Sequence, residues 1–204
     1  MRTMRLGIDF DNTIVSYDEV FADVAVRLGL IPAGFRGDKT AVRDHIRSLE
    51  DGEARWTALQ ALVYGPHIGG AKPFEGFLEF LAAAQVRGIP VHIVSHKSEY
   101  AAAAPNGVNL REAARRWLEE QGIVGGSAWI APDSVYFEGT RDAKVARIAE
   151  LGCTHFIDDL VEVFDEPAFP AGVVRYLFAP GGAAVSNGRY RVVRDWRQLA
   201  KELF

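Results

Sequence analysis

The chain has a single cysteine, Cys153, among its 204 residues. That excludes an internal disulfide and any all-cysteine metal site, and it fits a reducing compartment. No hydrophobic run approaches the roughly 20 residues that cross a bilayer. The N-terminal residues turn polar soon after their first apolar stretch, so no signal-peptide core is expected, and the cytoplasm is the expected location. Long runs of one charge are also missing: 23 basic and 27 acidic side chains are well mixed, for a net charge of −4. This argues against a nucleic-acid-binding tail and against a polybasic membrane anchor, and leaves small molecules as the expected partners. There is no internal repeat and no low-complexity segment.

What the chain does have is a hydrophobic content of 49%, enough for one α/β domain with its own core and a small insertion, but not for two full domains. The punctuation is regular, with an amphipathic helical stretch, then a glycine, then a short apolar run. Phe77, Phe80, Leu81 and Ala84 share one helical face that stops at Gly88, and residues 90–94 follow as a strand. Leu110, Ala113, Ala114, Trp117 and Leu118 form the next face, opened by Asn109 with Glu112 at capping-box spacing and closed by Gly122 before a strand at 127–130. Val145, Ile148 and Ala149 form a third, closed by Gly152 ahead of residues 154–158. Residues 6–9 supply the first strand and 173–178 the last. Strands alternating with helices in this way predict a Rossmann-like, mostly parallel sheet covered by helices on both faces.

Residues 16–72 break the rhythm. Helical patterns at Val20, Phe21, Val24, Ala25 and Leu28, at Val42, Ile46 and Leu49, and at Trp56, Leu59 and Val63 follow one another without a strand. The expected organisation is therefore an α/β core of residues 1–15 and 73–204 with a small all-α insertion at 16–72. Arg36, Lys39, Arg43, Arg47 and Arg55 make the insertion basic, and at helical spacing they read first as a solvated face. Residues 99–109, with four consecutive alanines, Pro105 and Gly107, form a longer connection than the pattern needs, expected either to start as helix and break or to act as a mobile loop.

Ligands of a parallel α/β sheet bind outside the carboxyl ends of the strands, and those ends are loaded. The first runs into Asp9-Phe10-Asp11-Asn12-Thr13, the second into Ser95-His96-Lys97, and a later one into Asp158-Asp159, with Lys144 near the start of the helix before it. Carboxylates crowded at one edge repel each other unless a cation neutralises them, and an all-oxygen donor set favours Mg²⁺. A lysine and a serine beside that ion suit a phosphoryl group.

With these four motifs in order, the chain resembles the haloacid dehalogenase superfamily, as a phosphatase-type member with a small helical cap inserted between the first and second motifs. The resemblance implies that Asp9 attacks phosphorus to form an aspartyl-phosphate and that Asp11 acts as the acid and then the base. It implies Mg²⁺ held by Asp9, the Asp11 backbone carbonyl and the acidic pair, with Asp159 as direct ligand and Asp158 behind it. Ser95, Lys144 and the backbone N–H of Phe10 would bind the phosphoryl oxygens, and Tyr17, His96 and Lys97 would be within reach of substrate. The implied substrate is a small phosphorylated metabolite. A phosphotransferase, a phosphonate-cleaving relative that would use Lys39, and a non-catalytic phosphate-ligand binder are the alternatives.

Overall fold

The computed structural model describes residues 3–104, 106–125, 129–182 and 188–204. In chain order its strands and helices are β1 (Leu6–Ile8), β2 (Val15–Ser16), α1 (Asp18–Arg27), α2 (Lys39–Arg47), α3 (Gly52–Tyr64), β3 (Lys72–Pro73), α4 (Phe77–Val86), β4 (Val91–His96), α5 (Leu110–Glu120), β5 (Val135–Glu138), α6 (Arg141–Glu150), β6 (His155–Asp158), α7 (Val161–Phe164), β7 (Val174–Phe178), β8 (Arg191–Val193) and α8 (Trp196–Leu203). Six strands form one sheet in the order β5-β4-β1-β6-β7-β8, and β2 pairs with β3 separately. Neighbours in the large sheet run parallel, with Ile8 level with Ile93 on one side and with Ile157 on the other. The fold class is therefore the expected α/β sheet flanked by helices.

Strand order has a direct consequence for the site. From β1 the chain moves outward through β4 and β5, then returns to the far side of β1 for β6, β7 and β8. Connections that diverge to opposite sides leave a crevice at the carboxyl end of the strand between them, the usual ligand position in open α/β sheets. β1 is that strand. It is fully buried, as a central parallel strand must be.

The helices follow the expected faces except at their carboxyl ends, where Leu28, Leu49 and Ala149 are exposed because the chain there has passed beyond its packing partners. Phe77, Phe80, Leu81 and Ala84 are buried along α4, and Leu110, Ala113, Ala114, Trp117 and Leu118 along α5. Gly88 stops α4 in the left-handed conformation, at φ 63°, while the N–H groups of Gly88 and Ile89 bond back to Gln85 and Ala84; glycine takes this conformation without the Cβ penalty. Asn109 caps α5, its Oδ1 accepting from the N–H groups of Arg111 and Glu112.

Two strands depart from expectation. The edge strand after α5 is Val135–Glu138, not residues 127–130. Ser127 and Ala128 lie outside the described residues, and Ile130 makes only an isolated bridge with Val124. The reason is the edge position: Val135 and Phe137 are buried while Tyr136 and Glu138 are half-buried, an alternation that a search for a continuous apolar run passes over. Likewise β7 is not the last strand. β8 follows, and its three residues are too few to show a period.

By compactness the described chain divides into two units. The first holds 1–15, 73–97 and 121–204; the second holds 16–72 together with 98–120. The second segment, which sequence patterning had left with the sheet, groups with the helical insertion because α5 is built into it: the fully buried Trp117 donates its indole N–H to the Ala71 carbonyl at 3.1 Å. Residues 99–109 contain no α-helix among those described. They are tied by a bridge between Ala101 and Ala104 and by the Leu110 N–H to the Glu99 carbonyl; Pro105 is outside the described residues. Within the same unit Phe21 stacks on Trp56, with ring centroids 4.9 Å apart. Among the described residues no helix is long and apolar enough to cross a membrane.

Candidate functional site

Asp9 extends β1 by one residue, its N–H donating to the Ile157 carbonyl of β6 at 2.9 Å. The chain then turns tightly. Ile14 and Val15 both donate to the Phe10 carbonyl, and Asn12 sits at φ 56°, a conformation asparagine tolerates better than most residues. The fully buried Phe10 ring packs edge-on to Phe137 at 5.5 Å, and the Trp196 indole N–H holds the Thr13 carbonyl at 3.3 Å. A hydrophobic ring on one side and an indole on the other thus fix the loop that presents Asp9 and Asp11.

Lys144 lies in the first turn of α6 and is 2% exposed. Its Nζ stands 2.6 Å from Asp9 Oδ1 and 2.6 Å from Asp158 Oδ2. The second Asp158 oxygen accepts from the Leu160 N–H at 3.0 Å, so both oxygens of that carboxylate are engaged. Asp159 is half-buried, and one oxygen from each of Asp9, Asp158 and Asp159 lies within 4.8 Å of the others.

The electrostatics of this set are unbalanced. Burial pushes the Asp9 carboxyl up to about 7; Lys144 opposes the rise, and the Asp158 and Asp11 carboxylates add to it. For Lys144 burial acts to lower the pKa, but Asp158 and Asp9 outweigh it and hold the ammonium above its ordinary value. Three carboxylates against one ammonium leave two formal negative charges. A small divalent cation with hard oxygen ligands fits that deficit and that donor chemistry. Asp9, Asp158 and Asp159 each offer an oxygen that could face such an ion.

Asp11 and Lys97 pair separately. Lys97 Nζ donates to Asp11 Oδ1 at 2.9 Å and to Oδ2 at 2.8 Å. Sequence reasoning placed Lys97 within reach of substrate and missed this pairing; strand alternation puts Lys97 on the face of Ser95 but does not name the acid it meets. Successive strand residues point to opposite faces, and here Ser95 is buried, His96 exposed and Lys97 buried again. Ser95 lies near the carboxyl end of β4, opposite Phe137 of β5.

Tyr17 belongs to the helical unit and is 1% exposed, its ring edge-on to Tyr64 at 4.9 Å and to Phe21 at 6.3 Å. It is a packing residue there. Lys39 donates to the Tyr64 hydroxyl at 2.8 Å and lies over three aromatic rings. Arg43 pairs with Asp44, Arg47 with Glu53, and Arg55 donates to the Glu50 carbonyl, as a solvated helical face does. His92 and His155 sit near the amino ends of β4 and β6, away from the loaded edge.

No protein-family model matches the chain, and no curated protein sequence does. Solved structures do match. A haloacid dehalogenase-like family hydrolase from Streptococcus pneumoniae is similar with a TM-score of 0.61 at 11% identity, covering 99% of this chain and 99% of that one. A HAD family hydrolase from Deinococcus radiodurans, with bound phosphate and sodium, has a TM-score of 0.53 at 17% identity, covering 97% of this chain and 93% of that one. A predicted phosphoglycolate phosphatase from Haemophilus somnus has a TM-score of 0.57 at 12% identity, covering 99% of this chain and 98% of that one.

Proposed function

We propose that this chain, which has the haloacid dehalogenase fold, is a Mg²⁺-dependent phosphatase that hydrolyses a small phosphorylated metabolite through an aspartyl-phosphate. The observation that carries this reading is the buried bridge from Asp9 through Lys144 to Asp158, with Asp159 beside it at the carboxyl ends of β1 and β6. A buried carboxylate kept in contact with an ammonium at the crevice of the sheet suits a nucleophile better than a purely structural ion pair.

Asp9, Asp159 and the Asp11 backbone carbonyl would hold the Mg²⁺, with Asp158 turned toward Lys144. When bound, the ion supplies charge neutralisation at the nucleophile and the phosphoryl oxygens. An Asp9 oxygen attacks phosphorus, and the bond to the leaving oxygen breaks as Asp11 gives that oxygen a proton. Water then attacks the aspartyl-phosphate, giving its proton to Asp11 and restoring Asp9. Ser95, Lys144 and the Phe10 N–H bind the phosphoryl oxygens in this scheme, and positioning with fixed charges supplies most of the acceleration. Residues 16–72 are the segment assigned to leaving-group selection. The single buried cysteine supports a reducing, cytoplasmic setting.

The test is phosphate release from p-nitrophenyl phosphate and from a panel of phosphorylated metabolites, with Mg²⁺ or with EDTA, for the wild type and Asp9→Asn. Release that requires Mg²⁺ and falls in Asp9→Asn by on the order of 10⁴-fold or more is the expected result. Release that survives EDTA, or that Asp9→Asn retains, refutes the assignment. Transfer of the phosphoryl group to an added alcohol with no free phosphate identifies a phosphotransferase.

A further inference from the structure

Lys97 has no part in the scheme above, yet its side chain is 4% exposed while that of Asp11 keeps 24%. A buried ammonium is strongly unfavourable unless it is paired and hydrogen-bonded, and this one spends two bonds on a single carboxylate. It also lies 5.2 Å from the centre of the Phe10 ring, whose π face favours a cation. The backbone leaves it little latitude, because the Lys97 N–H donates to the Glu138 carbonyl at 2.9 Å and continues the β4–β5 ladder by one residue. Lys97 thus grips Asp11 from the protein side and leaves part of the carboxylate open to water.

We propose that Lys97 is the positioning residue for Asp11 in the second half-reaction, where Asp11 takes the proton of the attacking water. The assignment rests on the phosphatase reading. In that step the water oxygen–phosphorus bond forms and the Asp9 oxygen–phosphorus bond breaks, its electron pair returning to Asp9. One water proton passes to Asp11 and phosphate departs. Both Asp11 oxygens accept hydrogen bonds from Lys97, which holds the carboxylate in one orientation while part of it stays exposed. Free rotation of Asp11 about its side-chain bonds would cost that orientation.

The experiment follows p-nitrophenyl phosphate through a single turnover for the wild type, Lys97→Met and Lys97→Arg in Mg²⁺, with thermal melts to establish that each is folded. In Lys97→Met, steady-state turnover is expected to fall by about 10²-fold behind a burst of p-nitrophenol, with phosphate trapped on acid-quenched protein. Hydroxylamine attacks the acyl carbon of the accumulated aspartyl-phosphate without a general base, and is expected to discharge one equivalent of phosphate per protein while leaving Asp9 as its hydroxamate. Lys97→Arg, which keeps the cation, is expected to retain most of the wild-type turnover. Turnover within about twofold of wild type in Lys97→Met, or a fall with no burst and no response to hydroxylamine, overturns the assignment while leaving the phosphatase reading intact. A wild type that releases no p-nitrophenol or phosphate from any ester overturns both.

Discussion

At Gly7 the sheet has room for a hydrogen and nothing larger. A Cβ there would stand 2.5 Å from the Phe156 ring and 2.9 Å from Cys153 Sγ, so Phe156 packs against the β1 backbone only because residue 7 has no side chain. Gly7→Ala is expected to destabilise the protein by about 1–3 kcal/mol, the usual cost of overpacking a core, measured as a lower urea midpoint. A change below about 0.5 kcal/mol would mean that Phe156 swings aside freely. Cys153 lies in the same packing, and burial raises its thiol to about 11, which makes it a poor nucleophile. It reads as the small apolar residue that the composition suggested. Lys97 shows the opposite case, a residue whose role is set by its partner: the sequence marked its neighbourhood correctly but gave no sign of the carboxylate 86 positions away that it holds.

α6 matters because Lys144 lies in its first turn. Thr140 caps the helix, its Oγ1 accepting from the Ala143 N–H at 3.1 Å, and Lys144, Val145 and Ile148 form the buried face. Thr140→Ala is expected to cost about 1 kcal/mol of stability and to loosen the turn that carries Lys144. Asn109→Ala is the control, since Asn109 caps α5 in the same way through the Glu112 N–H at 3.1 Å. Both variants should lose similar stability in denaturant melts, but only Thr140→Ala should lower kcat for phosphate release, by several-fold. Equal kcat losses in the two would show that the cap acts through general stability alone. The edge strand β5 illustrates how an element escapes a pattern. Its alternating burial belongs to a strand with one neighbour, and until the sheet order is known nothing marks Val135–Glu138 as that strand.

Over the whole molecule the charge deficit around Asp9 makes stability depend on pH and on divalent cation. An unfolded Asp titrates near 3.8, whereas the folded Asp9 carboxyl without an ion sits at about 7. Between these values the folded state holds a proton that the unfolded state has lost, so stability contributed at Asp9 falls as pH rises through that window. Below it both states are protonated and no penalty remains; above it the penalty is constant. Mg²⁺ binds the ionised carboxylates, so it should raise the Tm in melts more at pH 8 than at pH 5, and in EDTA Asp9→Asn should lack the decline shown by wild type. Parallel EDTA curves for the two proteins would show that Asp9 is not the group responsible.

The sequence by itself determined the periodic faces of α4 and α5, the stops at Gly88 and Gly152, the alternation that makes an α/β sheet, and the loading of strand ends with Asp9, Asp11, Ser95 and the Asp158-Asp159 pair. These are local properties: period, cap and strand end are set by residues a few positions apart. Only the tertiary structure decided that β1 lies between β4 and β6, that residues 98–120 join the helical unit, and that Tyr17 is packed among aromatic rings. It also decided which lysine meets which acid, for Lys144 reaches Asp9 across 135 positions and Asp158 across 14. Local patterning encodes whether a side chain is buried. The identity of its neighbour is fixed only when the strands choose their order, because that choice brings distant strand ends to one edge of the sheet.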